Sequence, residues 1–543
     1  MCPPVSSFRP GTIKIMGPNN LINSTIALYL ANLHSRLMKA SRNIHQLQDS
    51  QLKSFVHKAL KTEVGREYGF YFIKDYATYT RQVPVITYED IRLHIQRMMQ
   101  GETNILWPGL ITWFAKSSGT TSDKSKFIPV STEHLNHTHT RGGWYSLALL
   151  YHRFPDARVF ADLNLVLTGS ITRMPHPDIR YGDVSAIMLH HMPWIGRPFF
   201  TPDIKTCLLP DWDKKLEIMA RICSKKNVGV IGGVPTWAVV LFRQMLELTG
   251  KSNMLEIWPN ASVYMHGGVG FGPYQEQFGA FFPSEKFLYQ EIYNASEGYF
   301  ASQDTDDRTE GLLLLPDNGI FYEFIPEGHW QDPNPPTIQL KDIELGTQYA
   351  LVITTNGGLW RYKIGDTVMF TSRNPYRLCI TGRTQQYINA FGEELMVDNA
   401  DKAIEITARA HHAIVTDYTA APFYMSLHGK GGHHWLIEFE QAPANLQAFA
   451  DQLDAELKKL NSDYEAKRFQ GMALERLRLT ALPIGTFRKW LSKNGKAGSQ
   501  AKVPRLSNDR KYLDDILSMI SPTITESKSS KPDGSEKTTA SGH

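Results

Sequence analysis

The spacing of apolar positions changes character along the chain. In "DSQLKSFVHKALKTEVG", which starts at Asp49, the residues Leu52, Phe55, Val56, Ala59 and Leu60 recur at intervals of one to four. That spacing puts them on one face of a helix, with Asp49 or Ser50 as its cap. Residues 1–20 are rich in Pro, Gly and Asn and read as irregular. Between residues 160 and 385 the pattern shortens to apolar runs bounded by turns: "NLVLTGS", "VGVIGGVP", "SVYMHGG", "GLLLLP", "IFYEFIP" and "YALVITTNGG". Helical patterns at Asp213–Cys223 and Trp237–Leu248 lie among them. Strands that alternate with helices and end in glycine turns predict an α/β fold. Ligands in such folds sit outside the carboxyl ends of the strands.

After "RLCITGRTQQYINAFGEELM" the pattern changes. Ala400–Ala413 reads as a helix and "HHWLIEFE" as a strand. Asn445–Leu460 reads as an amphipathic helix with Leu446, Phe449, Leu453, Leu457 and Leu460 on one stripe. The expected division is a large N-terminal α/β domain over 1–382, a small α+β domain over 383–520 and a tail over 521–543. The tail lacks large apolar residues, which predicts disorder.

Composition narrows the function classes. The chain has 543 residues, 42% hydrophobic and 11% aromatic, enough for more than one core. A net charge of +4 with dispersed Lys and Arg argues against a nucleic-acid partner. No run approaches the roughly 20 apolar residues of a membrane span. The start is not an apolar signal segment, and four scattered cysteines suit a reducing compartment, so a cytoplasmic protein is expected. His134, His137 and His139 lie close together but have no acid or fourth ligand near in sequence, which argues against zinc.

Four motifs carry candidate chemistry. "KSSGTTSDKSKFIPVS", from Lys116, offers the hydroxyls of Ser117, Ser118, Thr120 and Thr121, a close backbone approach at Gly119 and the charge of Lys126. These groups suit a polyphosphate, although the Walker spacing is absent and a polar surface turn would look alike. In "YNASEGYFA", Glu297 could hold magnesium and Ser296 a phosphate oxygen, or Glu297 could cap a helix. "NGGLWRYKIGDTV" ends near Asp366, which could accept both ribose hydroxyls or sit in a solvated hairpin. In "ITGRTQQYINAFGEEL", Gly382 and Arg383 lie where the composition changes, as a hinge would, or Arg383 merely ends a strand.

In this order and spacing the motifs resemble the adenylate-forming superfamily. Within it, the chain looks like the Gretchen Hagen family of acyl acid amido synthetases, auxin-responsive in plants, and in particular its bacterial branch. "KTEVGREYGF", "HGGVGFGPYQEQF" and "SQAKVPRLSNDR" support the likeness, which covers residues 30–515. The resemblance implies a large adenylating domain with mixed β-sheets and flanking helices, followed by a mobile α+β domain. It implies that Ser117, Ser118, Gly119, Thr120, Thr121 and Lys126 form an ATP phosphate loop. Tyr293 would stack on adenine, with Ala295 and Ser296 beside the nucleotide. Glu297 would ligate Mg2+, Asp366 would hold the ribose and Tyr362 would support the site. Arg383 would face the nucleotide at the hinge. Lys502, with Lys496 as a rival, would be the mobile lysine of adenylation. The family loop usually has glycine where Asp123 stands, and lysine often follows the hinge where this chain has Asn389.

The implied activity uses ATP and Mg2+ to turn a small acyl acid into an acyl-adenylate, then passes the acyl group to an amine, expected to be an amino acid. A thiol acceptor such as coenzyme A, or a non-catalytic nucleotide-binding role, remains open at this point. A monomer is expected. Acyl-site candidates at the glycine turns are Thr168, Gly169, Ser170, Gly232, Gly233, Trp237, His266 and Phe271.

Overall fold

The computed structural model of the chain describes residues 18–120, 124–269, 271–384, 386–424, 431–468, 474–494 and 503–520. The expected tail over 521–543 lies outside the described residues. Among the described residues one mixed sheet of eleven strands dominates. One half is parallel: Leu288–Ala295, Val263–His266, Val228–Gly232, Leu163–Val166 and Phe200–Thr201 run side by side. The other half is antiparallel and includes Gln348–Thr355, Tyr362–Arg373 and Tyr376–Arg383. Gly298–Ser302 joins the halves by pairing antiparallel with Leu288–Ala295.

Apart from Leu288–Ala295, which carries Gln290, Glu291 and Asn294, the parallel strands are short and mostly apolar, as strands covered on both faces are. Helices Trp212–Cys223 and Pro235–Thr249 supply the cover, with Leu216, Met219, Phe242 and Met245 buried. Helix Pro18–Arg42 packs on Arg141–Arg153 through Leu30, Leu33, Leu37, Leu149 and Leu150. The helix expected from Asp49 starts earlier, at Ile44, after Asn43. The polar stretch His45–Ser50 hid that start, because its exposed face carries no period. The helix expected over 400–413 spans Val397–Ala410.

The hydroxyl-rich stretch is mostly not a loop. Trp113–Thr120 and Lys124–Val130 are strands of an antiparallel hairpin, with Ser117 opposite Lys126. They belong to a separate four-stranded sheet with Arg180–Gly182 and Ile171–Arg173. The small C-terminal unit has a three-stranded sheet, Ile414–Phe423, Gly432–Gln441 and Arg478–Leu482, covered by Val397–Ala410 and Leu446–Leu460. Its apolar face is continuous with the core of the parallel half. Tyr274 donates to the Ala390 carbonyl across that contact, at 2.5 Å.

A buried ion pair underlies the antiparallel half. Arg361 Nε lies 3.0 Å from Glu323 Oε1, and Arg361 also donates to the carbonyl of Val83 at 2.7 Å. Tyr76 donates to Glu323 at 3.0 Å. Arg361 has a φ of 43°, a left-handed conformation that side chains other than glycine rarely adopt. The pair and its carbonyl partners hold this turn, which launches strand Tyr362–Arg373. Removing one partner strands a buried charge, at a cost of roughly 3–5 kcal/mol. Glu323→Leu is therefore expected to lower the chemical denaturation midpoint sharply. The double variant Glu323→Leu/Arg361→Met should recover much of the loss, and a double variant no more stable than the single one would refute the account.

Candidate active site

A cleft of about 1820 Å³ opens at the carboxyl ends of the parallel strands. Its floor is made by the turns that follow them: Thr168–Ser170, Gly232–Val234, Gly267–Gly268 and Asn294–Glu297. The hairpin brings Ser117 and Lys126 to one wall, and the antiparallel strands bring Asp366 and Arg383. The C-terminal unit closes the cleft with Tyr387, Glu394, Asp463 and Lys467 among others.

Asp366 organises the antiparallel wall. Tyr293 donates to its Oδ2 at 2.8 Å and Arg383 Nε to its Oδ1 at 2.9 Å. Arg383 reaches on to Glu394 Oε1 at 3.3 Å and lies over the Tyr387 ring, 5.0 Å from its centroid. Burial works against the charge on Arg383, but Glu394 and Asp366 more than offset it. Burial, then the Asp366 charge, keep the Tyr293 hydroxyl protonated.

Lys126 and Glu297 form the second polar group. Both are nearly inaccessible, at 7% and 6% exposure. Burial lowers the Lys126 ammonium, while the Glu297 charge beside it acts the other way. Burial likewise raises the Glu297 carboxyl, and Lys126 opposes that rise. Two opposite charges with little water around them interact strongly with any third charge brought to the site. Ser296 donates to the Lys116 carbonyl at 3.4 Å, tying the Glu297 turn to the hairpin.

Of the residues singled out in the sequence, Ser117, Lys126, Tyr293, Ala295, Ser296, Glu297, Asp366 and Arg383 all border this cleft. So do the acyl candidates Thr168, Gly169, Ser170, Gly232, Gly233 and Trp237. Tyr362 is fully buried behind the wall, and its hydroxyl has no partner among the described residues. His266 and Phe271 are buried beneath the floor, stacked with centroids 4.1 Å apart, and do not border the cleft. The side chains of these two point into the aromatic cluster of Tyr264 and Phe278 because an apolar slab must be filled there. For Ser118, Gly119 and Thr120 only the backbone is described, at the end of strand Trp113–Thr120. Thr121, Asp123, Lys496 and Lys502 lie outside the described residues.

Sequence reasoning missed Glu394, Tyr387, Asp463 and Lys467. Glu394 stood in a quoted motif, and its φ of 37° is a backbone signal invisible in the letters. It also missed the bond between His134 Nδ1 and Asn356 Oδ1 at 2.7 Å, which joins the first histidine of the cluster to the "NGG" turn. Among the described residues no three His, Cys, Asp or Glu side chains come together as a metal site.

Solved structures share this architecture. A GH3.15 acyl acid amido synthetase in complex with 2,4-DB matches with a TM-score of 0.58 and 18% identity, over 93% of this chain and 97% of that one. A 2-hydroxyisobutyryl-CoA ligase carrying its acyl-adenylate matches with a TM-score of 0.50 and 13% identity, over 89% and 92%. The chain shares the fold of these two enzymes. Three consecutive family models then match: the GH3 family N-terminal domain at 33–247, the central domain at 313–383 and the C-terminal domain at 398–511. The chain belongs to the GH3 family. Its curated relatives include an indole-3-acetic acid-amido synthetase of Arabidopsis thaliana, 22% identical across 88% of this chain and 93% of that enzyme. A jasmonoyl–L-amino acid synthetase of Oryza sativa subsp. japonica is 24% identical across 90% and 96%.

Two buried histidines near the cleft set an acid limit. Burial lowers His134 to about 4 and His266 to about 3, from an ordinary 6.5. The unfolded chain then binds protons that the folded chain refuses. Their cost is absent above pH 6.5 and grows as pH falls below it, by roughly 1.4 kcal/mol per unit and group until the folded value is reached. His266→Phe keeps the stack and removes one of the two groups. Its denaturation midpoint is expected to fall less steeply than wild type between pH 7 and pH 5. Parallel pH curves would contradict the assignment.

Proposed function

We propose that the chain is an ATP-dependent acyl acid amido synthetase that activates a carboxylic acid as its adenylate and transfers the acyl group to an amino acid. The observation that carries this reading is the pairing, in one cleft, of the Tyr293–Asp366–Arg383–Glu394 chain with the Lys126–Glu297 group. Full-length relatives named for joining an acid to an amino acid support it.

Asp366 has two oxygens and about four acceptor positions, of which Tyr293 and Arg383 use two. The remaining ones suit the two hydroxyls of a ribose. Arg383 is held charged beside them and would meet the α-phosphate region. Lys126, Ser117 and the backbone of the hairpin end at Ser118, Gly119 and Thr120 would receive the β- and γ-phosphates, with Thr121 beyond. Ala295 and Ser296 would flank the nucleotide, Tyr293 would border the base, and Tyr362 would support the wall from behind.

A lone buried carboxylate fits magnesium, which commonly takes one protein acid and draws its other ligands from phosphate and water. Glu297 would hold it, and the ion would supply charge neutralisation on the phosphates. The acyl carboxylate oxygen attacks the α-phosphorus, the bond to the β-phosphate oxygen breaks, and pyrophosphate leaves. Placement and charge do most of this work, so the residues needed are cationic and fixed. Lys502 would arrive from the C-terminal unit for this step. Thr168 and Trp237, at the far end of the cleft, would receive the acyl chain. We further read the chain as a cytoplasmic monomer, a reading supported by the free thiols of Cys207, Cys223 and Cys379. No helix among the described residues is long and apolar enough to cross a membrane.

The test is a pyrophosphate-release screen of acyl acids crossed with amino acids and with coenzyme A. Release that depends on an acyl acid and is stimulated by an amino acid is expected. Stimulation by coenzyme A alone would replace the amine with a thiol, and ATP binding without release for any acid tested would leave only nucleotide binding. Glu297→Ala is expected to cut release by about 10²-fold, and unchanged release would remove Glu297 from the phosphate site.

A further inference from the structure

The C-terminal unit sends one short helix into the cleft. Ser462–Arg468 packs on strand Trp113–Thr120 and carries Asp463 and Lys467 one turn apart, on the same face. Both side chains border the cleft. Lys467 Nζ sits over the Trp237 ring, 4.3 Å from its centroid, at the end assigned to the acyl chain. The backbone makes room for it: a Cβ at Gly392 would stand 3.2 and 3.3 Å from Lys467 Cε and Nζ. The buried Oδ2 of Asp463 has no hydrogen-bond partner among the described residues. A buried carboxylate oxygen without a donor is costly, so its retention points to a donor brought by a ligand.

The helix is also tied to the nucleotide wall. Asn461 Oδ1 accepts from the backbone N–H of Asp463 at 3.0 Å and of Tyr464 at 2.7 Å. Asn461 Nδ2 donates to the carbonyl of Glu394, the residue that holds Arg383. The groups facing Asp463 are Lys467 on its own helix, Glu394, Lys116 on the hairpin, and Asp183 ahead of helix Val184–His190. Burial, only partly opposed by Lys467, raises the Asp463 carboxyl to about 6. A carboxyl in that range is mostly ionised at neutral pH, and is a stronger base than an ordinary carboxylate for taking a proton from an attacking amine.

We infer that Asp463 and Lys467 form the acceptor subsite of the amide-forming step, with Lys467 pairing the carboxylate of an amino acid and Asp463 taking the proton from its amine. The inference rests on the amide-forming reading above. The amino acid arrives as its ammonium form and yields one proton to solvent on binding. The neutral nitrogen attacks the acyl carbonyl carbon and the C–N bond forms. The bond from that carbon to the phosphate oxygen breaks, its electron pair leaves with AMP, and the second N–H proton passes to Asp463. Trp237 then has two duties: one face borders the acyl chain and the other shields the Lys467 ammonium.

The experiment separates the two half-reactions in the full-length chain. Enzyme, ATP, magnesium and an acyl acid that supports release are mixed, the pyrophosphate burst is recorded, and an amino acid or its carboxamide is then added. For Asp463→Asn the burst is expected to persist while amide formation falls by about 10²-fold, with loss of the acid limb near pH 6 in the transfer rate. Asp463→Glu should recover part of the transfer rate. Lys467→Met is expected to raise KM for the amino acid about tenfold and to abolish the preference over the carboxamide. A normal burst with unaltered transfer in both variants overturns the inference. So does a parallel fall of burst and transfer in Asp463→Asn that Asp463→Glu does not relieve, because that marks a structural contact. A wild-type chain with no burst for any acid overturns the functional reading instead.

Discussion

The carboxylate of Asp366 is the point on which the cleft depends. It accepts Tyr293 from Leu288–Ala295, at the edge of the parallel half, and Arg383 from the last strand before the C-terminal unit. Arg383 extends the contact to Glu394, inside that unit. One acid therefore aligns a parallel half, an antiparallel half and a separate small domain. Charge-assisted bonds of this kind are short and directional, and in a poorly hydrated site they hold their partners within a narrow geometry. The arrangement also leaves Asp366 with acceptor capacity to spare. The structural linchpin is thus a side chain that still borders the open cleft.

Buried charge gathers in two clusters, of which only one borders the cleft. Lys126, Glu297, Arg361, Glu323 and Arg383 are all removed from most contact with water. Each is costly alone and tolerable in opposition. The two clusters serve different ends. Arg361 and Glu323 satisfy one another and several carbonyls, and lock a turn. Lys126 and Glu297 lie beside open volume, where a polyphosphate can complete their coordination. The same chemistry is closed in one place and open to the cleft in the other.

Much of the cleft wall was legible because it is local. Tyr293, Ser296 and Glu297 fall within five consecutive positions, and so does the step from Tyr362 to Asp366. The helix at Leu446–Leu460 was equally plain, since its stripe follows the 3.6-residue period and Asn445 caps it. The hairpin was misread as a loop because its hydroxyls and lysines alternate without an apolar face. His266 and Phe271 were misread as pocket residues because a glycine turn in the sequence does not say which side of the sheet its neighbours face.

The sequence by itself determined the α/β class, the glycine turns at strand ends and the order of the nucleotide motifs, since all three depend on neighbours within a few residues. Only the tertiary structure decided that Arg383 meets Glu394, that His134 meets Asn356 and that Lys467 lies over Trp237. The last two pairs are separated by more than two hundred positions, and no local period or spacing encodes them. The Lys467–Trp237 pair exists because apolar burial brings the C-terminal unit onto the parallel half of the sheet, and the polar groups carried along must then find partners. The buried Oδ2 of Asp463 found none among the described residues.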